Sequence, residues 1–193
     1  MLKHQLRPAI VATVVLMVLT GLIYPGAVTA IAQLLFPRQA NGSLITRNGQ
    51  VVGSELIGQQ FARAEYFHAR PSSAGYDGAA SGASNKGPTD LKLADTLIAQ
   101  AVDSAVKLDH AVRGHVPADL VTRSGSGLDP HISPASALLQ VARVAQARGL
   151  DSAVVRALVD RHIEGRQLGF LGDRRVNVLL LNLALDSLSR RAP

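Results

Sequence analysis

The chain has 193 residues, a net charge of +6, no cysteine and no tryptophan. Without cysteine, disulfides, thiolate metal sites, CxxC redox motifs and cysteine nucleophiles are all excluded. A nucleic-acid-binding face clusters Lys and Arg with aromatic residues between them, whereas this chain is only 4% aromatic and mildly basic. We therefore expect no nucleic-acid partner.

An uncharged stretch of thirty residues runs from Pro8 to Pro37, with Lys3 and Arg7 in front of it. A bilayer core of about 30 Å needs about 20 apolar helical residues, and this stretch supplies them. The sequence thus predicts an N-terminal segment, residues 1–37, with a single transmembrane anchor. One exported domain, residues 38–193, is expected to follow.

A cleavable secretory signal is the alternative, because the basic start, the apolar run and the Ala30-Ile31-Ala32 triplet are its usual parts. The uncharged region exceeds a typical signal core of 7 to 15 residues, and Leu34 to Phe36 continue it past the triplet, which favours a retained anchor. The basic residues ahead of the anchor then place the N-terminus in the cytoplasm and the domain outside.

Three small or polar residues within the anchor, Thr13, Thr20 and Gly21, are candidates for packing against a partner helix. Helices in membranes associate through small residues and polar contacts. The alternative is that all three simply face lipid.

Turn chemistry predicts a β-hairpin directly after the anchor, because Asn48-Gly49 lies between two short apolar runs and both turn positions need positive φ. Residues 56–61 are expected to continue as a strand or short helix. Residues 72–88 form a long loop in which twelve of seventeen residues are Gly, Ser or Ala, and such loops are usually functional or disordered. The aromatic residues expected to pack this loop down are Tyr66, Phe67 and Tyr76.

Helical periodicity dominates the rest of the chain. Helices are predicted after Pro88, with Thr89 or Asp90 as cap, from Ser133-Pro134 to Gly149, from Asp151, and over 176–188, the last being the buried core element. The residues expected to face inward in the second and third helices are Leu138, Val141, Ala142, Ala145, Val154, Val155, Leu158 and Val159. The fold class is therefore α+β: one transmembrane helix, then a single domain with a β-hairpin and about four helices.

Residues 118–134 combine an apolar, strand-like lead, a turn with two glycines and a carboxylate before a proline. In one interpretation this is a rigid connection in which Asp129 caps the turn. In the other it is a binding loop whose backbone N–H groups converge on one point. The candidate binding or partner residues are Ser124, Gly125, Ser126, Gly127, Leu128, Asp129, Pro130 and His131.

Enzyme motifs are not found in this sequence. It lacks the GxxxxGK[ST] signature of a P-loop and the Asp-Lys-Thr-Gly phosphorylation motif of P-type pumps. Ser126, Asp129 and His131 are the residue types of a hydrolase triad, but they are neighbours in sequence and lack a nucleophile elbow. No HExxH motif occurs, so we expect neither catalysis nor a metal site.

The chain resembles the C subunit of the Kdp-type potassium-transporting P-type ATPase of bacteria over nearly its whole length. The blocks that carry the resemblance are Tyr24-Pro25, 53–59, Tyr66-Phe67-His68 with Arg70-Pro71, Ser84-Asn85 with Gly87-Pro88, 124–134, 175–179 and 181–185. Within these blocks, Ser84, Asn85, Gly87 and Pro88 form a second candidate loop.

The resemblance implies a non-catalytic accessory subunit of an ATP-driven, high-affinity potassium uptake complex in the bacterial inner membrane. Its implied partners are a channel-like potassium-selective subunit, a P-type ATP-hydrolysing subunit and a very small stabilising subunit. The domain is expected in the periplasm, where it serves assembly and coupling.

The same resemblance implies a catalytic chaperone that raises the ATP affinity of the hydrolysing subunit. ATP is cytoplasmic, so direct nucleotide contact conflicts with an outside domain. No cofactor is expected in this chain, with ATP a family-level alternative. Without the resemblance, the topology would equally fit a membrane-anchored periplasmic binding or sensor module unrelated to a pump, and co-purification separates the two.

Overall fold

A computed structural model describes residues 2–189 of the chain, with side chains from His4 to Leu188. The chain divides between Ile45 and Thr46 into two compact units. The predicted α+β class is confirmed: one long apolar N-terminal helix precedes a domain of several helices and small sheets.

The first unit is mainly one long helical segment, made of α1 (Leu2–Val18), a π-helical turn (Leu19–Ile23) and α2 (Tyr24–Leu35). The π turn shows in the N–H of Tyr24, which donates to the carbonyl of Leu19 five residues back. Pro25 follows at once and offers no N–H to the turn before it, which is a known cause of such irregularity. A short helix, α3 (Pro37–Ala40), comes next.

The helical segment His4–Leu35 is long and apolar enough to cross a membrane. Its 32 residues span about 48 Å at 1.5 Å per residue, which exceeds a hydrocarbon core. No residue in its most apolar window is buried by the rest of the described chain.

The predicted hairpin is confirmed as strands β1 (Leu44–Arg47) and β2 (Gln50–Ser54), which pair with each other. At the turn, Asn48 has a φ of 52° and Gly49 a φ of 77°. Both values lie in the left-handed region that the Asn-Gly pair tolerates.

Irregular backbone follows the hairpin, so the strand or short helix predicted over 56–61 is wrong. Two buried amide side chains, those of Asn182 and Gln140, form hydrogen bonds with the backbone N–H and carbonyl groups of this segment instead. Asn182 accepts from the N–H of Phe67 at 2.9 Å and donates to its carbonyl at 3.0 Å. Gln140 does the same for His68, at 2.7 and 3.2 Å. The segment is thereby fixed to the domain core, and Phe67 is fully buried.

Helical structure returns with a π-helical segment (Lys92–Ile98) that continues into α4 (Ala99–Asp109). Asp90 is the cap, since its Oδ1 accepts from the N–H of Leu93 at 2.9 Å. Residues Ala118–Val121 form a single helical turn, α5, so the strand-like lead predicted there is wrong.

Helices α6 (Pro134–Arg148), α7 (Ser152–Arg161) and α8 (Val178–Ser189) match the predictions closely. Ser133 caps α6 and Asp151 caps α7 through their side-chain oxygens. Two of the expected inward-facing residues, Ala142 and Val154, are instead exposed. Helix α6 turns Arg143 and Val144 inward at the next positions.

A three-stranded antiparallel sheet, which the sequence did not predict, joins β3 (His131–Ile132), β4 (Ile163–Glu164) and β5 (Arg175–Asn177) in the order β3-β5-β4. Val176 is the shared centre, paired with Ile132 on one side and Ile163 on the other. The core of the second unit contains Phe67, Ile132, Ala137, Val141, Val144, Ala145, Val155, Leu158, Val159, Val176, Val178, Leu181 and Leu185.

Candidate functional site

The candidate loop from Ser124 to His131 is held to the rest of the domain through its carbonyl groups. The Ser126 carbonyl accepts from the N–H of Gly82 at 2.8 Å, and the Leu128 carbonyl accepts from the N–H of Gly58 at 2.7 Å. The Ser72 hydroxyl donates to the Gly127 carbonyl at 2.6 Å. The loop therefore holds two other irregular segments in place through hydrogen bonds: the segment that contains Gly58 and the segment that contains Ser72 and Gly82.

Three backbone N–H groups of the loop donate to acceptors within it. The N–H of Gly127 donates to the Ser124 carbonyl at 3.3 Å, and that of Leu128 to the Ser126 hydroxyl at 3.1 Å. The N–H of His131 donates to Oδ1 of Asp129 at 2.9 Å. These three donors are engaged inside the loop, which fits the rigid connection, and the binding role of the loop stays a prediction.

Asp129 holds the charged end of the loop. Its Oδ2 lies 3.0 Å from Nη1 of Arg70, and its Oδ1 lies 3.5 Å from Nδ1 of His131. Burial by itself raises the pKa of this carboxyl, but hydrogen bonds from His131 and Arg70 and the Arg70 charge outweigh burial and lower the pKa to about 2. Asp129 is therefore ionised at any physiological pH.

An open groove of about 550 Å³ lies beside Asp129. It is lined by helix α5 and its flanks, by strand β3, and by the first residue of β5 with the two residues before it. The lining residues are Arg70, Ala118, Asp119, Thr122, Asp129, His131, Ile132, Ser133, Asp173, Arg174 and Arg175.

The charges around this groove are mostly paired. Asp119 accepts from the N–H of Ser133 at 2.6 Å and from its hydroxyl at 2.9 Å, which fixes the start of α6. Arg175 pairs with Glu164 at 2.9 Å, and Asp173 pairs with Arg166 at 3.3 Å. The groove contains three arginines and three aspartates, so it has no strong preference for either sign of ligand charge.

The structure separates the predicted site residues. Asp129 and His131 line the groove, whereas the remaining residues of the loop, including Ser124 and Gly127, do not. The second candidate loop (Ser84, Asn85, Gly87 and Pro88) does not line it either. The membrane candidates Thr13 and Thr20 donate their hydroxyls to the carbonyls of Ala9 and Leu16 within their own helix, at 2.8 and 2.7 Å.

Three groove residues, Arg70, Asp119 and Arg174, were not among the predicted site residues, although Arg70 lies in one of the blocks that carry the resemblance. Arg70 lies 59 residues before the carboxylate it contacts, and no local spacing links the two. The Asp173-Arg174-Arg175 run was a visible charge cluster, but the short strands that bring it beside β3 leave no periodic signal.

Among residues 2–189, no group of three or more His, Asp or Glu side chains is placed to hold a metal ion. His131 has an aspartate beside it, but Ser126 does not line the groove with them, so a hydrolase triad is not assembled. The arrangement can orient and fix protein segments: the Ser133 hydroxyl, for example, is held by Asp119 at 2.9 Å at the start of α6.

Comparison with known proteins decides the family. A model of KdpC, described as "K+-transporting ATPase, c chain", matches residues 6–187, which include both the apolar helix and the groove. The chain belongs to the KdpC family. The resemblance identified from the sequence blocks is thereby confirmed.

Curated relatives in the KdpC family are similar over essentially the full length. A protein of Gemmatimonas aurantiaca named potassium-transporting ATPase KdpC subunit is 65% identical over 196 residues, covering 100% of this chain and 97% of that protein. Proteins of the same name from Rhodospirillum rubrum and Mycobacterium tuberculosis are 57% and 52% identical, covering 95% and 97% of this chain and 95% and 100% of their own lengths.

Proposed function

We propose that this chain is a non-catalytic, membrane-anchored subunit of a potassium-transporting ATPase complex and that it serves assembly and coupling of the other subunits. The single observation that carries the proposal is the KdpC match over residues 6–187, because it extends through the anchor and the whole domain together. The proposed partners are a channel-like potassium-selective subunit, a P-type ATP-hydrolysing subunit and a very small stabilising subunit.

The apolar helix supports single-pass anchoring in the bacterial inner membrane. The segment His4–Leu35 has no buried residue in its most apolar window, so a bilayer or a partner helix is needed to cover it. Lys3 and Arg7, which precede the uncharged stretch that begins at Pro8, support a cytoplasmic N-terminus and a periplasmic domain.

A non-catalytic role fits the polar groups of the groove. Asp119 is engaged by Ser133, and Asp129 by Arg70 and His131. These paired side chains hold chain segments in a fixed arrangement. A fixed polar surface on the domain is suited to contact with another subunit.

A narrower proposal is that the chain raises the ATP affinity of the hydrolysing subunit as a catalytic chaperone. This role requires the domain to share a compartment with ATP. Topology therefore separates it from the assembly role, and a domain in the periplasm would exclude direct nucleotide contact.

The topology experiment uses the absence of natural cysteine. Ser81→Cys, in the domain, should react with a membrane-impermeant thiol reagent in cells whose outer membrane alone is permeabilised. Gln5→Cys, before the uncharged stretch that begins at Pro8, is the matched control and should react only after inner-membrane lysis. The reverse pattern would place the domain inside and favour the ATP role.

The functional experiment is deletion of this chain in cells that depend on the complex for potassium. Growth should fail on limiting potassium and recover when the full chain is supplied, and the abundance of the other subunits in one complex should follow the same pattern. Normal growth and an intact complex without this chain would overturn the proposal.

A further inference from the structure

The loop between β4 and β5 ends in an apolar tip, Leu168 to Leu171, that stands away from the core. Leu168 is 83% exposed and Phe170 69% exposed, and Leu171 is exposed as well. Three large apolar side chains within four residues are unusual on a water-facing turn, because burying such side chains is favourable.

The tip is an ordered turn. The N–H of Gln167 donates to the Leu171 carbonyl at 3.0 Å and the N–H of Leu171 donates back at 2.9 Å, while the N–H of Phe170 donates to the Gln167 carbonyl at 3.2 Å. The apolar side chains are thus presented on a closed hairpin end.

Leu168 occupies a backbone position that leucine disfavours. Its φ is 52° and that of Gly169 is 83°, almost the same pair of values as at Asn48 and Gly49 in the first hairpin. Positive φ is uncommon for any residue with a Cβ and exceptional for a bulky one, whereas Asn and Gly accept it. The same chain therefore uses the favourable residue in one turn and an apolar, exposed one in the other. Burial within the domain does not offset the strained backbone of Leu168, because its side chain is exposed. Contact of the tip with an apolar ligand would offset that strain.

Basic side chains flank the tip. Arg166 precedes it and pairs with Asp173 at 3.3 Å. Arg174 follows it, and within the described part of the chain no ion pair neutralises this guanidinium. An apolar apex with arginines at its base suits the boundary of a bilayer, where apolar groups enter the acyl region and arginines meet anionic headgroups.

We propose that the apolar tip, Leu168 to Leu171, inserts into the headgroup boundary of a phospholipid bilayer.

The inference rests on the proposed anchoring of helix His4–Leu35. Only eleven residues lead from Leu35 to Thr46, which extend to at most about 40 Å, so the tether keeps the domain at the membrane surface. Tethering raises the effective concentration of the tip at the bilayer, so three side chains suffice. A protein partner would have to cover the tip as part of an interface of about 800 Å² on each side, whereas a bilayer needs no matching shape.

The test uses the absence of tryptophan. Phe170→Trp places one fluorophore at the tip of the full chain, which is reconstituted into vesicles of phosphatidylcholine and phosphatidylglycerol with ordinary or brominated acyl chains. Bromine quenches only nearby tryptophan. We expect at least twofold quenching for Phe170→Trp. Val112→Trp, at a position 67% exposed elsewhere on the domain, is the matched control and should lose less than a tenth of its emission.

A second variant separates the function of Leu168 from its effect on folding. In the Phe170→Trp background, Leu168→Asn should raise Tm by about 2 to 4 °C, because it relieves the strained backbone, and should at the same time weaken the quenching. A rise in Tm with unchanged quenching would overturn the role of Leu168.

Flotation of the vesicles keeps the two proposals apart. A Phe170→Trp chain that floats with the vesicles but whose tryptophan emission is not quenched would overturn the tip proposal and leave the anchor intact. Emission that shifts to the blue only in the assembled complex would assign the tip to a protein partner and also overturn it. A chain that fails to float would overturn the anchoring proposal and the tip proposal together.

Discussion

Arg70 and Asp129, which are 59 residues apart in sequence, form an ion pair in which Nη1 lies 3.0 Å from Oδ2. Each side chain is about a quarter exposed. The same carboxylate accepts from the N–H of His131 at 2.9 Å through its other oxygen. Asp129 therefore has two separable roles: it is an acceptor within its own turn, and it is the counter-charge of a guanidinium from a distant segment.

Substitutions at Asp129 separate these roles. Asparagine keeps an acceptor oxygen for the His131 N–H but loses the ion pair, while alanine loses both. We expect Asp129→Ala to lower the free energy of unfolding by about 0.5 to 2 kcal/mol more than Asp129→Asn, by analogy with capping losses. Urea unfolding of the detergent-solubilised chain measures the difference.

Growth on limiting potassium, with complex abundance measured alongside, tests whether Asp129 also acts on the ion. A structural role predicts that transport falls only as far as the complex is lost. Equal transport loss for Asp129→Asn and Asp129→Ala with an intact complex, strongest at low ionic strength, would instead place this carboxylate on the path of potassium.

Acid should remove the contribution of Asp129. Its pKa is about 2 in the folded chain and about 3.9 when unfolded, so the folded state favours the charged form. The resulting stabilisation is complete above pH 4 and is lost as the pH falls from about 4 through 2. The gap in unfolding free energy between the natural chain and Asp129→Asn should narrow over that interval, and a gap that is constant with pH would contradict it.

His68 should make the domain less stable in mild acid. Burial, followed by the charge of Arg143, lowers the pKa of its imidazole below 6.5. The unfolded chain then binds a proton more readily than the folded one, so stability is complete above pH 6.5 and falls as the pH drops below that value. His68→Gln should show a shallower loss between pH 7 and 5. His115→Gln, at an exposed position, is the control for the loss of a histidine.

Gly58 should not tolerate a side chain. A Cβ there would lie 2.5 Å from the backbone carbonyl oxygen of Asp129, and backbone cannot move aside cheaply. We expect Gly58→Ala to cost about 1 to 3 kcal/mol of unfolding free energy, as overpacking does. Gly125→Ala is the matched control in the facing loop, because a Cβ there meets nothing within 4 Å among the described residues. Equal stabilities of the two variants would contradict the tight packing of these segments.

The anchor offers a separate prediction. A Cβ at Gly21 meets nothing within 4 Å in the described chain, so any tight neighbour must come from another subunit. We expect Gly21→Leu to loosen the complex in detergent, with Gly26→Leu, at the other glycine of the segment, as control. Full recovery of all subunits with Gly21→Leu would indicate that the domain, and not the anchor helix, makes the contacts that hold the complex together.

Local chemistry explains which elements could be predicted from the sequence. The Asn48-Gly49 turn, the Ser133 cap and the Gly149 stop each depend on neighbouring residues, and all three are present in the structure. Strands β3 and β4 have two residues each, too few for any alternation, and exist because they pair with β5. The π-helical segment Lys92–Ile98 differs too little from an α-helix in period to be recognised.

The groove shows the same limit at the level of the site. Asp129 and His131 were identified because they lie in one distinctive run of sequence. Arg70 and Arg174 reach the groove from segments far away in the chain, and only tertiary structure brings them there. The strained turn at Leu168 could not be predicted from the sequence either, because it is recognised by the positive φ of that residue.

Isolation of this chain from gently solubilised bacterial membranes, followed by native mass spectrometry, tests the central claim most directly. We predict one complex that contains this chain in fixed stoichiometry with an ATP-hydrolysing subunit and a potassium-selective subunit. Recovery of the chain alone, with those subunits assembled and active without it, would contradict the account.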